Sequence, residues 1–370
     1  MNEVTTRYLG LDVHKETIAV ALADPDQAPV LYGTIANDPG AVRKLVRQLG
    51  ADRQLKVAYE AGPTGYCLHR QLTELGIECQ VVAPSLIPKK SGDRVKTDNR
   101  DALTLARLLR SGDLTPVWVP GPEDEALRDL VRSRFDAKAD LLRAKHRLSK
   151  FLLRQGLRPP AGTRAWSAGH RAWLSQLVFS HPAARVVFDD YRRVVATAEE
   201  RVRWLEEQLR QCAPSSRQAA LIAALQALRG IGFISAVTIA AEVGDLRRFR
   251  TARGFMAFTG LVVSEHSSGQ TRRQGGITHT GNSNIRHVLV QAAHNARRTP
   301  HRSWAQRQRQ QGLPPDLIEL AWKAQVRLHL RYRHLAGRIG IPKAVTAVAR
   351  ELAGFVWAVG LRMSEEVAAA

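Results

Sequence analysis

The sequence predicts a multidomain protein: an α/β domain on a mixed sheet, then two long helices, then a mainly helical C-terminal region. Three observations carry this. The first 120 residues alternate short apolar runs with amphipathic stretches. Two later stretches, Glu123–Gln155 and Ala183–Cys212, keep apolar residues at roughly helical spacing, the first with no Gly or Pro. The chain is 370 residues long. A single core rarely grows beyond roughly 250–300 residues, so two or more domains are expected.

In order, Tyr8–Asp12, Thr17–Ala23 and Val30–Ile35 read as three successive strands, with Asp24-Pro25-Asp26 turning the second. Asn37 is expected to cap a helix running to Gly50, with Val42, Leu45, Val46 and Leu49 on one face. Leu55–Glu60 is a fourth strand, Gly65–Leu75 a helix stopped by Gly76, and Cys79–Ala83 a fifth strand ended by Pro84. A basic loop (Lys89, Lys90, Arg94, Lys96) leads into a helix from Asp98 to Arg110. A meander followed by alternating strands and helices is an α/β pattern.

Pro120 and Pro122 close this domain, giving regions 1–120, 121–214 and 215–370. The middle region holds Leu127, Leu130, Val131, Leu141, Leu142, Leu148, Phe151 and Leu152 on its first helix. Its second carries Val187, Tyr191, Val194, Ala198, Val202, Leu205 and Leu209. These suggest an antiparallel coiled-coil arm, though a plain helical bundle gives almost the same pattern. Next, Leu221–Leu228, Arg229-Gly230-Ile231-Gly232 and Ser235–Val243 read as a helix-hairpin-helix-like unit, whose glycine turn either approaches a phosphate or simply joins helices. Gly260–Gly281 is polar and Gly-rich; helices resume at Ile285–Arg297, Asp316–Ala336 and Ala344–Ala358.

Charge narrows the partner. Lys and Arg total 55 against 34 acids, a net +21. Leu246–Arg350 alone carries 19 Lys/Arg against three acids, Glu265, Asp316 and Glu319. Such an excess favours a polyanion, and arginine's planar fork suits phosphate. No apolar run reaches the roughly 18–20 residues that span a bilayer, and MNEVTTRYLGLD lacks a signal-peptide core. Cys67, Cys79 and Cys212 form no CxxC pair and leave an odd count, which argues against a disulfide framework and a Cys/His zinc site. No membrane association and a cytoplasmic location are expected.

Four acids stand where a metal site would need them. Asp12 ends the first strand, Glu60 ends the fourth, and Asp98 and Asp101 open a helix three residues apart, so both reach one point. Carboxylates gathered this way cannot all stay ionised without a cation, and a hard ion such as Mg2+ suits oxygen ligands. Singly, each has another explanation: Asp12 starts a turn, Glu60 lies beside a Gly-Pro turn, and Asp98 caps a helix whose dipole Asp101 complements.

GLDVHKE, VAYEAGPTGY and KTDNRDALTLARLL together resemble the DEDD transposases of insertion sequences, in particular the insertion-sequence one-ten family of bridge-RNA-guided recombinases. The resemblance continues through LRGIGFISAVTIAAEVGDLRRF, FMAFTGL and SSGQTRRQGGITHTGNSNIRHVL, and so covers nearly the whole chain. It implies a RuvC-like (ribonuclease-H-type) N-terminal domain, a coiled-coil arm and a C-terminal transposase domain. The four acids become Asp12, Glu60, Asp98 and Asp101, holding Mg2+ (two ions, with Mn2+ as an alternative). The nucleophile becomes Ser268, with Ser264 and Ser267 close enough for a register error. The resemblance also implies a site completed by two domains or two subunits, a phosphoserine intermediate, DNA and a structured bridge RNA as partners, and a homo-oligomer, dimeric or tetrameric on DNA. Arg272, Arg273 and Arg286 are phosphate-contact candidates, although a solvated basic loop looks the same.

Two other functions fit parts of the pattern. A Holliday-junction-type or structure-specific nuclease would use the same acids with water as nucleophile. A catalytically silent nucleic-acid-binding protein would keep the fold without metal dependence. A sugar-kinase-like ATPase would need later Gly-rich nucleotide turns, which are not apparent.

Overall fold

A computed structural model describes residues 5–51, 53–88, 97–268, 271 and 273–369. It divides into two compact units, Met1–Val119 and Pro120–Ala370.

The first unit contains β1 (Thr6–Val13), β2 (Thr17–Ala23), β3 (Val30–Ala36), α1 (Pro39–Leu49), β4 (Gln54–Glu60), α2 (Cys67–Glu74), β5 (Glu78–Val82) and α3 (Asp98–Ser111). The strands form one sheet in the order β3-β2-β1-β4-β5. β1 runs antiparallel to β2 and parallel to β4; β2–β3 is antiparallel and β4–β5 parallel. This is the mixed sheet expected, and it is consistent with a RuvC-like domain.

Strand alternation divides the labour. Leu9 and Leu11 of β1 and Val57 and Tyr59 of β4 face one way, burying against Val42 and Leu45 of α1 and Leu68 and Leu72 of α2. The opposite face is made small. Ala19, Ala21 and Ala23 of β2 meet Ala102 and Ala106 of α3. A Cβ on Gly10 would lie 2.1 Å from the Ala102 carbonyl oxygen and 2.3 Å from the Ala106 nitrogen. Only glycine lets α3 lie this close to β1. That approach brings the start of α3 toward the end of β1.

Two local expectations change. Asp38, not Asn37, caps α1: its carboxylate accepts from the Gly40 and Ala41 amides, because Pro39 already occupies the first helical position. The Asn37 amide instead donates to the His14 carbonyl at 2.7 Å. Gly65 sits in a left-handed turn, so α2 starts only at Cys67. The loop Lys89, Lys90, Arg94 and Lys96 lies outside the described residues.

The second unit begins with α4 (Pro122–Arg154), α5 (Ala168–Ser175) and α6 (Pro182–Cys212). α4 and α6 are antiparallel: along α4, Arg134, Asp140 and Lys145 pair with Glu206, Arg201 and Glu199 of α6, in descending order. Their seam includes Ala137, Leu141, Ala144, Leu148 and Phe151 on one side and Phe188, Val195, Val202 and Leu205 on the other. The steps of four and three, and of seven, are heptad spacing. Leu142, Val187 and Val194 are exposed, so they do not belong to the expected stripe; Phe188 and Val195 take that place on α6.

The remainder comprises α7 (Ala219–Leu225), α8 (Phe233–Val243), α9 (Ala252–Phe258), β6 (Val263–Glu265), β7 (Gln274–Ile277), α10 (Ser283–Ala293), α11 (Trp304–Arg309), α12 (Pro315–Ile339) and α13 (Ile341–Ala369). The polar Gly260–Gly281 stretch therefore contains an antiparallel hairpin that its composition did not announce. The core of this unit includes Val237 and Ile239 of α8, Leu289 of α10 and Leu352 of α13. Leu127 and Val131 of α4 and Leu209 of α6 join it, so the long helices are rooted in this core. Ile341–Met363 is long and apolar enough to cross a membrane by length and composition, which the run-based reading missed because polar residues interrupt it. Half of its most apolar window is buried inside the unit, including Val345, Val348, Leu352 and Val356.

α7, Arg229-Gly230-Ile231-Gly232 and α8 make the expected helix–turn–helix. Gly230 has φ +92°, and a Cβ there would meet the Ala292 carbonyl oxygen at 2.5 Å. Packing against α10 thus requires this glycine, whether or not a phosphate also approaches the turn.

Candidate metal centre and serine hairpin

In the first unit, the register brings the acids to one end of the sheet. Leu11 pairs with Tyr59, so the next residues are Asp12, one short of the end of β1, and Glu60, the last of β4. Alternation from Gly10 and Ala58 puts both on the α3 side. Asp98 and Asp101 occupy the first turn of α3, after Thr97, whose side chain makes no capping bond. Acids there are favoured by the helix dipole.

The closest group among the described residues is Asp12, His14 and Asp98, whose ligand atoms all lie within 4.8 Å of one another. His14 Nε2 is 3.3 Å from Asp12 Oδ2 and 3.3 Å from Asp98 Oδ2. Burial holds the Asp12 carboxyl above its usual range, and the charges of Asp98 and Asp101 push it the same way, while His14 partly offsets them. A carboxylate destabilised by its carboxylate neighbours is what a divalent cation would relieve, so the donor set fits a hard metal ion. Glu60 is half-buried on the adjacent strand and is not part of the tight group. His14 was overlooked in the sequence, although GLDVHKE contains it. Its two-residue offset from Asp12 was the signal.

In the second unit, Ser268 lies on the hairpin between β6 and β7, exposed, exchanging backbone hydrogen bonds with Thr271 at 3.2 and 3.1 Å. The neighbouring hydroxyls are occupied. Ser267 Oγ donates to Glu265 at 2.8 Å and accepts from the Arg273 amide, and Ser264 Oγ donates to the Gly276 carbonyl at 3.1 Å. Among the described residues, the Ser268 hydroxyl has no such partner. Arg273 is exposed beside it. Arg286 is half-buried, its Nη1 donating to the Thr259 carbonyl at 3.0 Å and the Thr280 carbonyl at 3.3 Å, which braces the two ends of the hairpin segment. Arg272 lies outside the described residues.

A second acid in this unit escaped the sequence reading. Glu242 of α8 is buried and receives both arms of Arg132 and the amides of Asn282 and Asn284.

Comparison with known proteins places both regions. A DEDD transposase family model matches residues 9–155, and the model of the transposase IS116/IS110/IS902 family matches residues 222–309. The protein named "Putative transposase y4qE" of Sinorhizobium fredii is 42% identical over 356 residues, 95% of this chain and 88% of the relative. The "Transposase for insertion sequence element IS1533" of Leptospira borgpetersenii is 32% identical over 334 residues, 89% of this chain and 96% of the relative.

Proposed function

The chain belongs to the IS116/IS110/IS902 family of transposases, and on that premise we propose that it cuts and rejoins DNA through a phosphoserine bond formed by Ser268, assisted by divalent metal at Asp12, Glu60, Asp98 and Asp101. Family membership makes it a DNA transposase, an enzyme of strand cleavage and transfer that binds DNA.

The observation that carries the metal assignment is the approach of Asp12 and Asp98 to a common point. Asp12 and Asp98 would hold the ion there, with Glu60 from the next strand and Asp101 from α3 completing its carboxylate ligands. Mg2+ bound by them would supply charge neutralisation to an attacked phosphate. The observation that favours Ser268 over its neighbours is its exposed hydroxyl, unengaged among the described residues. Its Oγ forms a bond to phosphorus while one phosphorus–oxygen bond of the strand breaks. The hydroxyl proton is given up, and the departing strand oxygen takes one. The reverse step joins a second strand, and because the ester is conserved no ATP is needed.

Target choice, in this reading, comes from base pairing with a structured bridge RNA. The protein then reads phosphate backbone and duplex shape, for which the arginine-rich stretch from Leu246 to Arg350 is suited. Arg272 and Arg273, four and five residues after the serine in the chain, are phosphate contacts, and Arg286 contributes by bracing the hairpin. Regions 1–120, 121–214 and 215–370 act as acidic domain, coiled-coil arm and serine domain. Leu142, Val187 and Val194, left exposed on α4 and α6, suit the arm to assembly of a dimer or tetramer.

The experiment is a covalent trap. The full chain, with bridge RNA, end-labelled DNA and Mg2+, is quenched in denaturant. A protein–DNA adduct is expected from wild type and from Ser264→Ala and Ser267→Ala, and none from Ser268→Ala. An adduct that survives Ser268→Ala removes this serine. Cleavage without any adduct replaces the mechanism with a water-using nuclease.

A further inference from the structure

We infer that His14 is a fifth ligand of the acidic centre, and that its imidazole makes the centre prefer Mn2+ over Mg2+. This rests on the reading of Asp12 and Asp98 as metal ligands.

His14 follows β1 directly, two residues beyond Asp12, on the same side of the extended chain. Its backbone is pinned from two directions. The amide donates to the Thr17 carbonyl at 2.8 Å, and the carbonyl accepts from the Asn37 side chain at 2.7 Å. The ring is therefore placed by the β1–β2 turn and by the chain entering α1. Its Nε2 stands 3.3 Å from one oxygen of Asp12 and 3.3 Å from one of Asp98. That spacing is longer than a well-formed N–H···O bond of about 2.9 Å. It is close to the edge of an octahedron, because ligands about 2.1 Å from an ion sit about 3.0 Å from their neighbours. The three ligand atoms lie within 4.8 Å of one another, within reach of a single ion. The ring is half-exposed, so an ion has access.

The alternative is an ion pair in which a protonated His14 simply stands where a cation would. The two accounts predict opposite signs. A nitrogen donor favours Mn2+, since carboxylate and water alone satisfy Mg2+ while imidazole adds affinity mainly for transition metals. Removing a ligand weakens binding; removing a competing cation leaves it equal or strengthens it.

The test is Mn2+ titration of the full chain, followed by electron paramagnetic resonance, for wild type, His14→Ala and Asp12→Asn, repeated with Mg2+ as competitor. Circular dichroism checks each variant's fold. His14→Ala is expected to weaken Mn2+ binding by at least about tenfold and Mg2+ binding by less. Pulsed resonance on wild type, which requires no variant, is expected to show imidazole nitrogen coupling to the bound Mn2+, lost in His14→Ala. Equal or tighter Mn2+ binding by His14→Ala, or no nitrogen coupling in wild type, overturns the inference. If Asp12→Asn abolishes binding in that case, the carboxylate site stands and only the role of His14 falls. If Asp12→Asn binds like wild type, the carboxylate site falls with it.

Discussion

Glu242 and Asp12 are both acids drawn out of solvent, one in each unit. Glu242 is enclosed by donors: Arg132 reaches both its oxygens at 3.0 and 2.9 Å, and Asn282 and Asn284 each add a bond at 2.8 Å. Burial alone would raise its pKa, but Arg132 and the two amides outweigh burial and hold the carboxyl below its usual range. Asp12 meets the reverse. Burial raises its pKa, Asp98 and Asp101 raise it further, and His14 only partly offsets them. Burial therefore does not separate a structural acid from a ligand. The sign of what faces the carboxylate does. Glu242 ties α4 and α8 to the start of α10. Asp12 is left with charge to share.

The largest expected effect sharpens this contrast. Asp12→Asn should lower DNA strand transfer by about a thousandfold or more, with thermal stability of the metal-free chain unchanged or slightly higher. Glu242→Gln, once folded, should retain strand transfer. A fully folded Glu242→Gln that loses activity as completely as Asp12→Asn would break the comparison. The next effect is on stability. Glu242→Ala removes the carboxylate that Arg132 and two amides share, and should cost about 2–3 kcal/mol, read as a lower urea midpoint. Asp12→Asn removes like-charge repulsion and should stabilise by less than about 1 kcal/mol.

The smallest effect is in the pH dependence, and its sign differs between the two acids. Glu242 has a lowered native pKa, so its contribution is present above the ordinary glutamate value of about 4.3 and lost as pH falls through the native value. Asp12 has a raised native pKa, so the native state holds the extra proton between the two values, and stability falls as pH rises through that window from about 3.9. Melting curves of metal-free wild type, Asp12→Asn and Glu242→Gln across roughly pH 3–7 should show the Asp12→Asn advantage growing with pH. The Glu242→Gln deficit should shrink as pH falls. Parallel curves for both variants would remove the electrostatic distinction.

Much of the first unit was legible because its signals are local. The apolar runs of Thr17–Ala23 and before Glu60 need only neighbours along the chain. Helix caps were less so: Asn37 and Asp38 are both good caps, and Pro39 decided between them. The α6 stripe was misplaced on Val187 and Val194 because a helix shows several apolar faces, and only the partner helix selects Phe188 and Val195. The β6–β7 hairpin was missed because Gln274–Ile277 has almost no side-chain pattern to read. Glu242 was missed because its partners lie 40, 42 and 110 residues away.

The sequence by itself determined the elements, the basic C-terminal stretch, the order of the four acids and the motifs that carry the family. These are written in composition, spacing and strand-end position. Tertiary structure decided which acids meet. The missing side chain of Gly10 lets α3 settle on β1, and that contact, between residues about ninety positions apart, carries Asp98 to Asp12. The β1–β2 turn adds His14 to the same place. The parallel pairing of β1 with β4 sets Glu60 on the neighbouring strand end. Distances of a few ångströms between remote side chains depend on packing, and no periodicity in the chain encodes them.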